Sequence, residues 1–176
     1  MIEIKPSNVE FNEGEFNNFQ KDLGVNFPNE YIKFLEKNNG GNPELNIVEL
    51  LNDEIKSFSV TEFFGVNNVK INDLKSQYET YKKRIPSGNI PICRVEGGNI
   101  VCLNIDNGLI SLWDHDTELI NEDVLSTNSL LKVAGSFEEF LSLMKPYDPE
   151  DDLDDYKVED VWIDPDFLKE LKNDKD

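Results

Sequence analysis

One histidine and two cysteines are all the soft metal ligands and strong nucleophiles that this 176-residue chain contains. A His- or Cys-rich metal centre is therefore out of reach, because such centres gather several of these side chains around one ion. Cys93 and Cys102 are also too few for a disulfide framework, and no secretory leader precedes them, so both are expected as free thiols. No apolar run approaches the length of about 20 residues that a membrane-spanning helix needs. The N-terminal Met-Ile-Glu-Ile-Lys-Pro has the pattern of neither a signal nor a transit peptide. Cations are scarce as well: 17 Lys and Arg stand against 36 Asp and Glu, a net charge of -19. Nucleic acid and anionic membranes both demand the opposite sign, which excludes them as partners. The expectation is a soluble, cytoplasmic, self-repelling protein open to a basic partner.

What the chain does have is concentrated between Ile90 and Asp116. Two turn signals, Gly97-Gly98 and Asn107-Gly108, divide this stretch into three runs rich in β-branched and aromatic residues. They predict the centre of an antiparallel meander. With two-residue loops, Cys93 faces Cys102, Cys102 faces Trp113, Ile92 faces Leu103 and Leu103 faces Leu112. One face then collects Ile90, Ile92, Val101, Leu103, Ile105, Ile110 and Leu112 as a core face. The other collects Cys93, Cys102, Asn104, Ser111, Trp113 and His115, mixed and at most partly covered. A slip of one residue would put the aliphatic set in water.

Around the meander the periodicity turns helical. Phe16, Phe19 and Leu23 predict a helix within Val9–Leu23 that Gly24 ends. A second begins at Phe27-Pro28, with Tyr31, Phe34 and Leu35 on one face and Asn38-Asn39-Gly40-Gly41 as its stop. Leu45–Leu51 and Phe58–Phe64 read as strands about an acidic turn at Asn52-Asp53-Glu54. Ile71, Leu74, Tyr78, Tyr81 and Ile85 mark a third helix, closed by Pro86. Asn121–Leu125 suits a helical turn and Leu130–Ala134 a short strand. Ser136 and Glu139 have the spacing of a capping box, opening a last helix buried through Phe137, Phe140, Leu141 and Met144. After Pro146 the composition changes. Six acids crowd Asp148–Asp155, and beyond them Val158, Val161, Trp162, Phe167, Leu168 and Leu171 are too apolar for a purely solvating tail. The expected organisation is an α+β domain over residues 1–146, its antiparallel sheet packed against several helices. Residues 147–176 follow as an acidic linker and a short segment that docks on its own domain or on a partner.

An ordered set of short motifs resembles a known group. Leu23-Gly24-Val25, Phe27-Pro28-Asn29-Glu30-Tyr31, Phe34-Leu35 and Asn39-Gly40-Gly41 are similar to the N-terminal signature of the SUKH superfamily. That superfamily includes Smi/Knr cell-wall regulators and bacterial immunity proteins. Phe63-Phe64-Gly65-Val66, Ile85-Pro86, Gly97-Gly98-Asn99, Cys102-Leu103, Trp113-Asp114-His115-Asp116 and Val133-Ala134 through Leu141 follow in the same order. The resemblance spans Phe16 to Met144; Phe27 stands where the family usually has leucine, and the tail lies outside it. It implies an α+β binding protein. Bacterial members are thought to neutralise polymorphic toxins, often nucleases, and an acidic protein suits the cationic cleft of a nuclease. The alternative implied is a Smi/Knr-like regulatory scaffold with an endogenous protein partner.

No catalytic constellation emerges from the residues. Asp114-His115-Asp116, with Glu118 nearby, is the one metal-like cluster, but strand alternation would send His115 away from the two aspartates. Cys93 or Cys102 paired with His115 would need a cleft that nothing specifies. Gly97-Gly98 lacks the lysine and helix of a phosphate loop. Asn39-Gly40-Gly41 reads as a helix cap, and Tyr31 and Trp113 as packing residues. No enzyme activity, cofactor or metal is therefore expected. Asp114, Asp116, Glu118, Glu122 and Asp123 are the candidate contacts for a basic toxin domain, with the oligomeric state left open.

Overall fold

The computed structural model describes residues 3–50, 57–116 and 130–147. A two-stranded ribbon, β1 (Ile4–Lys5) with β2 (Asn42–Pro43), is tied through a Gly41–Phe63 bridge to a larger antiparallel sheet. The strands of that sheet are β3 (Ile47–Glu49), β4 (Ser57–Phe63), β5 (Asn89–Val95), β6 (Ile100–Asn104), β7 (Ile110–Trp113), β8 (Leu130–Ala134) and β9 (Met144–Lys145). They run in the order β8-β7-β6-β5-β4-β3-β9, so the meander β5-β6-β7 lies inside the sheet, as the turn signals predict. Among the described residues four helices accompany it: α1 (Glu13–Leu23), α2 (Asn29–Asn38), α3 (Leu74–Tyr81) and α4 (Phe137–Ser142). The fold is α+β.

Local chemistry marks several of the helix ends. Asn12, Asp73 and Ser136 accept first-turn N–H groups of α1, α3 and α4, satisfying donors that have no partner within the helix. Gly24 (φ 68°) and Asn39 (φ 44°) close α1 and α2 in the left-handed region. The predicted capping box is present with a shift. Ser136 Oγ accepts the Glu139 N–H at 3.1 Å, but the Glu139 carboxylate reaches back to the N–H of Gly135.

The meander's register differs from the two-residue-loop prediction. The connections are longer, residues 96–99 and 105–109, and Leu103 faces Ile110 while Cys102 faces Ser111. This is a displacement of two residues, which keeps every β6 and β7 side chain on its predicted face. Between β5 and β6 the displacement is two residues up to Pro91 and one residue beyond it. A bulge at Ile92 leaves Ile90 opposite Leu103 yet sets Cys93 opposite Val101, so Cys93 joins the core face. The pairing of Cys93 with Cys102 does not occur, and both are free thiols.

The second face is also covered, where partial exposure was expected. Directly opposed residues share a face, so Ile100, Cys102, Ser111 and Trp113 lie together, and all four are buried. Tyr81, just at the end of α3, meets Trp113 edge-on at 5.6 Å. On the core face, Phe63 packs against Phe34 of α2 and Phe137 and Phe140 of α4, with ring centroids 4.9–6.2 Å apart. The middle of the sheet is thus sandwiched, which is why β6 and β7 read as almost unbroken apolar runs.

Three side chains lie outside the helices predicted for them, among them Ile85, which is buried but follows the end of α3. Ile71 belongs to a 3-10 turn (Lys70–Asn72) before α3 and is 61% exposed. Met144 lies beyond the last helix, in β9, where it pairs with Val48. The turn at residues 52–54, the helical turn at 121–125 and the acidic tail lie outside the described residues.

Candidate functional site

Two polar assemblies stand out, one buried at a crossing of elements and one exposed at a corner of the sheet. The crossing joins α2 to the segment after β4. Asn39 Nδ2 donates to Val66 O at 2.9 Å and to Val9 O at 3.0 Å, while Asn39 Oδ1 accepts the Val66 N–H at 2.7 Å. Its backbone is equally committed. A Cβ at Gly65 would overlap Asn39 O, and one at Gly41 would overlap Lys5 O. Gly65 then donates to Asn72 O and accepts from the Leu74 N–H, which brings the 3-10 turn and α3 alongside. Asn39-Gly40-Gly41 is therefore more than a cap: it and Phe64-Gly65-Val66 are two halves of one crossing.

The corner begins where β7 ends. Asn99 Oδ1 accepts the His115 backbone N–H at 3.1 Å and lies 2.6 Å from His115 Nδ1. Since that oxygen accepts both, Nδ1 carries the hydrogen, and Nε2 is left facing Asp116 at 3.3 Å. The Asp116 N–H donates to Asp114 Oδ1 at 3.0 Å. Ligand-type atoms of Asp114, His115 and Asp116 consequently fall within 4.8 Å of one another. The alternation that would separate His115 from the aspartates does not apply, because the strand stops at Trp113 and the chain bends. An acidic corner results, with the Asp116 side chain 84% exposed.

Beneath the corner, Trp113 is fully buried, with the Arg84 guanidinium 4.8 Å from its ring centroid. Asp114 and Asp116 are thus brought to one end of the sheet. Glu96, in the same hairpin connection as Asn99, adds an exposed carboxylate to that end, and the sequence reading missed it. The signal was available: residues 96–99 and 114–116 flank paired strands. Glu118, Glu122 and Asp123 fall outside the described residues.

The groups with nucleophilic chemistry are shut away from this corner. Cys93, Cys102 and Tyr31 are fully buried, and burial pushes all three well above their ordinary pKa values, with Cys93 adding to the effect at Tyr31. Thiols in that state remain protonated at neutral pH. A surface cleft of about 170 Å³ has Phe19, Val66 and Leu74 at its apolar part and Glu15, Asp73 and Lys75 as its charged lining, with neither thiol nor histidine. Among the described residues no helix is long and apolar enough to cross a membrane.

The model of the SMI1 / KNR4 family (SUKH-1) matches residues 10–143. A curated relative, the SPbeta prophage-derived uncharacterized protein YokK of Bacillus subtilis (strain 168), is 35% identical over 106 residues. That alignment covers 60% of this chain and 52% of the relative, so the chain spans about half the length of the curated relative it matches.

Proposed function

The chain belongs to the SMI1 / KNR4 family (SUKH-1), and from that membership we propose that it is an immunity protein, one that binds a cognate toxin domain and neutralises it through an acidic surface. The family match carries the reading, since this family includes toxin immunity proteins; the charge of -19 supplies the mechanism. Toxins that cut nucleic acid bind phosphates through cationic clefts, and an acidic protein fills such a cleft and finds it quickly through electrostatic steering. Asp114 and Asp116 at the corner, together with Glu118, Glu122 and Asp123, form the proposed contact. In this reading the protein acts in the cytoplasm and by occupancy; buried, protonated thiols and a histidine held by Asn99 support action without turnover.

The test is association with the toxin domain encoded beside it. Charge reversal at Asp116→Lys and Glu122→Lys should lower the on-rate and weaken protection of cells expressing the toxin, with no fall in melting temperature. Added salt should slow association steeply, because steering is screened over about 8 Å at physiological ionic strength. An acidic partner, or an on-rate indifferent to salt, would overturn the mechanism. A neighbouring cell-wall enzyme in place of a toxin would favour a regulatory scaffold.

A further inference from the structure

Charge is unevenly spread over this acidic chain. From Val69 to Arg84 five cations stand against two acids, whereas residues 3–50 hold four against nine and residues 85–116 one against four. Neither Lys70 nor Lys83 has an ion-pair partner among the described residues. The same segment carries the two most exposed large apolar side chains described, Val69 and Ile71, each 61% exposed. They are held there firmly. Ile71 O accepts from Arg94 Nη2 at 2.7 Å and from Gln77 Nε2 at 2.9 Å, and Asn72 Nδ2 is bound by the Glu62 carboxylate. Asn67 and Asp73, on either side of this turn, both line the cleft that contains Phe19, Val66 and Leu74. An apolar turn locked outward beside a cleft, with the unneutralised Lys70 in the turn and Lys83 beyond the far end of α3, has the chemistry of a docking surface for an acidic, partly apolar peptide.

We infer that the occupant is the chain's own C-terminal segment, Val158–Leu171, docked on the Val69–Arg84 face. Three observations select it over a foreign peptide. Residues from Asp148 onward hold thirteen acids and four cations, a charge opposite to that of the face. Val158, Val161, Trp162, Phe167, Leu168 and Leu171 supply apolar side chains at a spacing that a short helix or turn can present on one side. Reach is not limiting: residues 148–157 alone extend up to about 33 Å at the span of an extended chain, comparable with the diameter of a domain of this size. Docking would cover Val69 and Ile71 and give the cationic face the acidic character of the rest of the molecule. The inference does not rest on the immunity reading.

Tryptophan fluorescence of the full chain tests it, because Trp113 is fully buried and acrylamide quenching therefore reports Trp162. In the native chain at low salt, Trp162 should be shielded. Ile71→Asp with Lys70→Glu and Lys83→Glu, all at exposed side chains, should raise its quenching constant several-fold and leave the melting temperature in place. High salt should act in the same direction but more weakly. Quenching in the native chain equal to that of the triple variant would overturn the inference. So would shielding that survives the triple variant, which would place the tail elsewhere. Shielding that appears only as concentration rises, together with a doubled mass in solution, would assign the face to a second copy of the chain.

Discussion

The crossing at Asn39 and Gly65 and the corner at Asp114–Asp116 are both polar structures where a regular element ends, yet they obey opposite constraints. At the crossing, a fully committed side chain bonds to backbone groups from two other segments, and backbone lies so close that no Cβ fits at Gly65. At the corner, side chains bond mainly to neighbours one or two residues away and to Asn99, and much of their surface is in water. The first region has no freedom to change without loss of the fold. The second can change its charge at small cost to stability, as the proposed contact with a partner would require. Both are polar, but only one is structural.

That contrast can be broken most sharply at the crossing. Gly65→Ala places a methyl group against Asn39 O, where backbone rather than a flexible side chain must yield. A loss of more than about 4 kcal/mol in denaturant melts is expected, or failure to fold. An Ala variant of wild-type stability would mean that the crossing is loose.

Within the sheet, Leu103→Ala should cost about 2–5 kcal/mol, since Leu103 is fully buried between Ile90 and Ile110. Ser111→Ala removes only an oxygen and should cost far less, although Ser111 too is buried. Equal losses in chemical melts would contradict the role of Leu103 as a filled core position.

Raised pH gives an intermediate effect with a definite sign. Burial raises the thiols of Cys93 and Cys102 in the folded state above their ordinary value of 9.0. Their contribution is complete below that value and declines as pH climbs past it, because the unfolded chain ionises while the native one resists. Stability should therefore fall above about pH 9, and Cys102→Ala should flatten that decline. A stability profile with no alkaline limb would argue that the thiols are reachable by solvent.

The smallest effect belongs to the corner. Asp116→Asn should alter stability by no more than about 0.5 kcal/mol, the usual range for an exposed substitution, as measured by thermal melts. A larger loss would make Asp116 a structural partner of His115 and remove the distinction drawn between the two regions.

Local chemistry by itself determined a good deal of this protein. Asn12 and Ser136 open helices and Gly24 and Asn39 close them because their side chains or left-handed backbones satisfy end groups, a matter of nearby atoms only. Turn glycines and alternating apolar runs likewise placed the meander, and an ordered motif set was enough to suggest the family. Tertiary structure alone decided the rest. The bulge at Ile92 swings Cys93 to the core face, because β5 must match β4 and β6 at once, and no pattern within one strand records that demand. Tyr81 and Arg84 meet Trp113 on the second face, a meeting set by how α3 packs. Asn39 finds Val66 from 27 residues away. His115 turns toward its aspartates because β7 stops at Trp113 and Asn99 of the neighbouring hairpin captures the ring. In each case the deciding contact joins residues distant in the chain, and spacing along the sequence carries no term for it.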